Sequence, residues 1–161
     1  MRGNLKKAEN AELEVKVSSV FDPWILETFK ATRGAQISEV NEEFFHHVAS
    51  VYSNFEKRNE ALTYTAILRK EKVAQLSLLT TNNRLLLFFS ASNLSGREVG
   101  AMHALLNQVI KDHASSLHTF DFEGSDNENL AFFYASFGGE ERVYLQAESD
   151  RLFWPLNKLL S

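Results

Sequence analysis

Leu13, Val15 and Val17 alternate with charged residues in "ELEVKV", which predicts a first strand covered on one face. The preceding "NLKKAENA" reads as a basic helical turn or tail. After the strand the apolar spacing changes to three and four. In "FDPWILETFKATRG", Asp22 stands as an N-cap, Pro23 at the first helical position and Gly34 beyond the last turn, predicting a helix from Pro23 to about Thr32. A second helix is predicted from near Ser38, with Val40, Phe44, Phe45, Val48, Val51, Tyr52 and Phe55 on one apolar stripe.

Three strands follow closely. "LTYTAILR" meets "VAQLSLLT" across Lys70-Glu71-Lys72, and the latter meets "RLLLFFSAS" across Asn82-Asn83, a pair that tolerates the left-handed conformations of a tight hairpin. This is an antiparallel meander. Because "LLLFF" is apolar on both faces, its strand is expected to be central and covered on both sides. The next helix, "REVGAMHALLNQVIKDH", sets Val99, Met102, Leu105, Leu106, Val109 and Ile110 on one stripe, and Ser95 with Glu98 fits a capping box at its start. The strand "HTFDFEG" comes next. Ser125 with Glu128 makes a second capping box, opening a helix over Asn127 to Phe137. A strand "RVYLQAE" and a terminal amphipathic helix "RLFWPLNKLL" complete the chain. The core order is β-α-α-β-β-β-α-β-α-β-α. A meander joined to strand-helix-strand crossovers gives an α/β fold with a mixed sheet and helices on both faces.

Composition narrows this picture. With 161 residues, 44% of them hydrophobic, and thirteen Phe, the chain can bury one sizeable core, so a single domain over residues 1–161 is expected. Lys and Arg number 17 against 21 Asp and Glu, a net charge of −4 that disfavours gripping duplex nucleic acid. The absence of cysteine excludes disulfides, thiolate metal sites and a Cys nucleophile. No apolar run approaches the length of a membrane span, and the start lacks the apolar stretch of a signal peptide; a cytoplasmic location is expected. His46 and His47 are adjacent on a helix, about 100° apart, and cannot chelate one ion as an i, i+4 pair can; no metal site is expected. Serine hydrolase and nucleoside triphosphatase motifs are missing.

Chemistry concentrates in "FDFEGSDNENLAFFYASFGG". On a strand, Asp121 and Glu123 share one face while Phe120 and Phe122 share the other. The two acids stand at the strand's C-terminal end, where open α/β sheets bind ligands. Either could act as a base if partial burial raised its pKa. The plainer alternative has Asp121 bonding a neighbouring loop and Glu123 facing solvent or a cation.

The element order resembles the GNAT acyltransferase fold. Asn127, Tyr134 and Gly138 stand at the spacing of seven and four that GNAT proteins commonly carry on the helix after the fifth strand, although Gly139 replaces the usual Phe. "DFEGS", "FFYASFGG" and the opening "NLKKA" together look like the second GNAT domain of Fem-type transferases, two-domain proteins that join amino acids or acyl groups to amines. The likeness runs from Asn4 to Tyr144. Fem-type proteins carry two such domains and this chain carries one, which fits either a natural single-domain relative or, as the opening "NLKKA" favours, the C-terminal half of such a protein, with residues 1–12 as hinge or tail.

The resemblance implies acyl-CoA as co-substrate, or aminoacyl-tRNA if the Fem likeness governs, with no metal. It implies donor binding at the amides of the helix after the fourth strand, in a loop patterned Arg or Gln, two residues, Gly, one residue, Gly or Ala. "REVGAM" matches with Arg97 and Gly100 but has Met102 at the last place. The donor site so implied comprises Ser92, Ser95, Gly96, Arg97, Gly100, Ala101 and Asn127. A helix N-terminus with one Arg suits a pyrophosphate. Glu98 and the capping box oppose it, and "SGREVG" equally reads as an ordinary helix start. Tyr134 is implied as the acid that protonates a leaving thiolate; a core aromatic among Phe132, Phe133 and Phe137 is the alternative. Expected partners are a small-molecule or peptide amine acceptor, and either a second copy in a homodimer or a missing N-terminal GNAT domain. A non-catalytic domain of the same fold, binding a ligand or a partner chain, is the competing reading.

Overall fold

A computed structural model describes residues 2–34, 37, 40–123 and 128–142. Among them run α1 (Arg2–Asn10), β1 (Glu14–Ser18), α2 (Trp24–Ala31), α3 (Glu42–Glu56), β2 (Ala61–Leu68), β3 (Glu71–Thr81), β4 (Arg84–Ser92), α4 (Leu94–Glu98), α5 (Ala101–His113), β5 (Thr119–Asp121) and α6 (Glu128–Ala135). The expected strand "RVYLQAE" and terminal helix lie outside the described residues, apart from Arg142, as do Ser125 and Asn127.

The five strands form one mixed sheet in the order β1-β2-β3-β4-β5. β1 to β4 are antiparallel neighbours, and β5 joins β4 in parallel. Both hairpins of the meander close on two residues with positive φ. Asn82 (φ 43°) and Asn83 (φ 61°) link β3 to β4 as the sequence predicts. The β2–β3 turn falls on Arg69 (φ 50°) and Lys70 (φ 72°), one residue ahead of the predicted Lys70-Glu71-Lys72, because Leu68 pairs with Glu71.

β3 is the most buried strand, with Val73 to Leu79 all inside. β4 lies inside the sheet between β3 and β5, as expected. "LLLFF" in β4 owes its two apolar faces to packing by different helices. Leu87 joins the α5 side with Leu76, Leu78, Leu105, Leu106 and Val109. Leu86 and Phe88 join Tyr52, Ala61 and Leu79 on the α3 side.

Caps explain where the helices start. Asp22 Oδ1 accepts from the Trp24 N–H at 3.1 Å, so α2 opens beside the predicted cap. Asn41 Oδ1 accepts from the Phe44 N–H at 2.9 Å, starting α3 at Glu42 rather than near Ser38. On α3, Phe45, Val48 and Tyr52 are buried, whereas Val51 of the predicted stripe stays 39% exposed.

The predicted helix over "REVGAMHALLNQVIKDH" is broken in two. Asn93 Oδ1 accepts from the Gly96 N–H at 2.9 Å and caps the short α4, and Gly100 (φ 71°) ends that turn and starts α5 anew. The expected capping box of Ser95 and Glu98 thus yields to Asn93. Gly96 has to be a glycine for room: a Cβ there would sit 2.2 Å from the Val73 carbonyl oxygen.

Candidate active site

Parallel pairing of β4 with β5 covers only Arg84 to Leu86 against Thr119 to Asp121. Beyond Leu86, β4 continues to Ser92 along β3 with no further β5 partner among the described residues. A bulge in β4 at Phe88 lies where the two strands part: Leu78 faces Leu87 while Ser77 faces Phe89. Bulges add local twist and turn a strand away from its neighbour. The result is a cleft of about 390 Å³ along the free edge of β4, lined by Leu87, Ser90, Ala91 and Ser92.

This cleft connects the two faces of the sheet. On the α5 side it is walled by Met102 and Leu106 of α5 and by Asn129, Leu130, Phe133 and Tyr134 of α6. The α2 side supplies Phe29, Thr32 and Arg33. Phe29 is held by Phe89 at 4.8 Å between ring centroids and by Phe45 at 6.4 Å. A second recess of about 180 Å³ adjoins it, bounded by Ser92, Gly96, Arg97, Gly100, Met102, His103 and Phe133.

The turn between α4 and α5 is where the sequence places a candidate anion seat. Gly100 offers α5 no side-chain cap, so the first N–H groups of that helix, at Ala101 and Met102, are claimed by no side-chain cap among the described residues. Asn93 caps a separate helix and leaves them alone. Arg97 is exposed, borders both the cleft and the recess, and has no ion-pair partner among the described residues. Gly96 and Gly100 are both buried; a Cβ on Gly100 would meet the Asn4 carbonyl oxygen of α1 at 2.7 Å. Ala101 is fully buried in the core and lines neither the cleft nor the recess. Ser92 borders the cleft, its hydroxyl donating to the Val73 carbonyl at 3.3 Å, while Ser95 lies exposed on α4 outside the lining.

Tyr134 stacks on Phe122, with ring centroids 4.6 Å apart and planes 26° from parallel. Its hydroxyl has no hydrogen-bond partner among the described residues, and burial pushes its pKa up, partly offset by the Arg33 charge. The phenol therefore stays protonated through neutral pH.

The acids are set apart from the cleft lining. Asp121 Oδ2 accepts from the Arg84 guanidinium at 3.3 Å and its Oδ1 from the Glu123 N–H at 2.9 Å. Glu123 has φ 56°, so the strand alternation expected to align it with Asp121 ends before it, and its exposed carboxylate has no partner among the described residues. Phe120 and Phe122 do share one face, 4.6 Å apart.

Sequence reasoning passed over His103 and Arg33. His103 is half-buried in the first turn of α5, edge-on to Phe133 at 4.8 Å, and receives the Asn4 Nδ2 hydrogen at Nε2, 3.1 Å away. Burial lowers its pKa, keeping the ring neutral. Its place three residues after Gly100, within the first turn, was the available signal. Arg33 had none, since its position depends on how α2 lies across β4.

No family model matches the chain, and no curated protein matches it in sequence. Solved structures do match. An acetyltransferase from Streptococcus agalactiae superposes with a TM-score of 0.64 at 14% identity, over 89% of this chain and 92% of that one. A GNAT family acetyltransferase from Streptococcus pneumoniae gives 0.56 at 11%, over 84% and 99%. The aminoglycoside enzyme AAC(6')-Ih from Acinetobacter baumannii gives 0.56 at 14%, over 88% and 99%. At these identities the likeness is one of architecture, and the architecture of this chain is that of the GNAT acetyltransferases.

Proposed function

We propose that the chain is an N-acyltransferase that moves an acyl group from acyl-CoA to an amine. The observation that carries this reading is the cleft opened where β4 leaves β5, with the uncapped start of α5 and Arg97 at its edge. A sheet edge without a strand partner among the described residues suits an extended amide-bearing arm, and a helix N-terminus with an adjacent guanidinium suits its pyrophosphate. Gly96 and Gly100 add no side chains of their own to that turn. Met102, where the motif prefers Gly or Ala, forms part of the apolar wall shared by cleft and recess.

In the reaction the amine nitrogen attacks the thioester carbonyl, the new C–N bond replaces C–S, the nitrogen loses a proton and the thiolate gains one. Tyr134 is the proposed donor of the latter proton, its protonated phenol standing in the cleft wall. Glu123 is the proposed base, since its carboxylate is unengaged by described residues. Asp121, tied to Arg84, steadies the turn that carries Glu123. Ser92, Ser95 and Asn127 complete the proposed donor site. A Fem-type relationship, with aminoacyl-tRNA as donor and a further GNAT domain alongside, is the narrower form of the reading and rests on "DFEGS", "FFYASFGG" and "NLKKA".

One observation favours the non-catalytic alternative: no carboxylate lines the cleft among the described residues. Calorimetric titration with CoA and acetyl-CoA, for the wild type and Arg97→Glu, tests the donor site. Binding in the micromolar range that the variant loses is expected. Absence of binding at millimolar ligand overturns the acyl-CoA reading.

A further inference from the structure

The lining of the cleft has a charge opposite to that of the chain. The protein carries a net charge of −4, yet the charged side chains among the described lining residues are Arg33 and Arg97. Arg97 belongs to the donor turn and borders the recess beneath it, whereas Arg33 borders the cleft alone, beside Phe29 and Thr32 on the α2 side. Arg33 is exposed and has no ion-pair or hydrogen-bond partner among the described residues. The neighbouring Thr32 hydroxyl is already given to the Thr28 carbonyl at 2.7 Å, which leaves the guanidinium as an unengaged donor there among the described residues. Across the cleft, Tyr134 feels the Arg33 charge, which offsets part of the upward push of burial on its pKa.

If the donor occupies the α5 side, an amine must approach from the mouth where Arg33 stands. A guanidinium repels a polycation there and holds a carboxylate in a planar, two-pronged contact. Resting on the transferase reading above, we propose that the acceptor is a small primary amine bearing one carboxylate, with Arg33 as the residue that selects it.

The test is thiol release from acetyl-CoA with free amino acids, their carboxamides, spermidine and kanamycin as acceptors, using the wild type, Arg33→Gln and Arg33→Lys. Acetyl-CoA binding is measured in parallel by calorimetry. Expected results are turnover of at least one amino acid and a loss of about tenfold in kcat/KM for its carboxamide. Arg33→Gln should raise KM by about tenfold at nearly unchanged kcat, and Arg33→Lys should recover part of the loss, with acetyl-CoA affinity unchanged in both. Preference for spermidine, kanamycin or the carboxamides overturns the inference and leaves the transferase reading standing. Weakened acetyl-CoA binding in Arg33→Gln overturns it too, by assigning Arg33 to the donor. No acetyl-CoA binding, or binding with no thiol release from any acceptor, overturns both.

Discussion

Tyr134 and Asp22 show how much a residue's surroundings decide its role. Tyr134→Phe keeps the stacking on Phe122 and removes the proposed acid, so kcat should fall about a hundredfold while acetyl-CoA affinity holds. Any alkaline loss of activity due to this phenol should lie above pH 10, because burial raises its pKa, and should vanish in the variant. Asp22 is the opposite case. Burial pushes its pKa up, but bonds from Lys72, Gln75 and the Trp24 N–H outweigh that, and the net shift is downward. A carboxyl with a lowered folded pKa stabilises fully above its unfolded value, and that stability is lost as pH falls through the folded pKa. Asp22→Asn should therefore lower stability at neutral pH by about 1 kcal/mol, and urea midpoints of the two proteins should converge below pH 3.8. Of these roles, the cap at Asp22 was legible from the Pro that follows it. Its reach to Lys72 and Gln75, about fifty positions away, was invisible to local pattern.

At the scale of elements, local rules served well where a single chain segment decides the outcome. The Asn82-Asn83 hairpin, the stripe on α3 and the fold order all follow from spacing and turn chemistry. They failed where two segments compete for one backbone. The β2–β3 turn moved to Arg69-Lys70 under the demand of strand register, and Asn93 displaced Ser95 as cap because α4 is a separate short helix. Gly96 is the sharpest product of that crowding. Gly96→Ala forces a Cβ against the Val73 carbonyl oxygen and the Ser92 hydroxyl, 2.2 and 2.6 Å away. The substitution should destabilise the protein by about 1–3 kcal/mol and weaken acetyl-CoA binding. Gly3→Ala, which meets nothing within 4 Å, should show no such loss in thermal unfolding.

For the whole molecule, what mattered most was the least visible feature. The sequence marks the strands and the Gly-bounded turn, but the opening between β4 and β5 arises from a bulge at Phe88 and from how few pairs β5 makes, neither of which has a local signature. In an antiparallel pair, alternate residues aim their peptide groups away from the partner strand. Along Leu87 to Ser92, β4 has no strand partner on its β5 side among the described residues, so a ligand in the cleft could take up bonding positions there. A ligand that bonds there behaves thermodynamically as a missing piece of the sheet. Its arrival should slow deuterium uptake along the outer half of β4 far more than along β2, whose neighbours β1 and β3 are already in place.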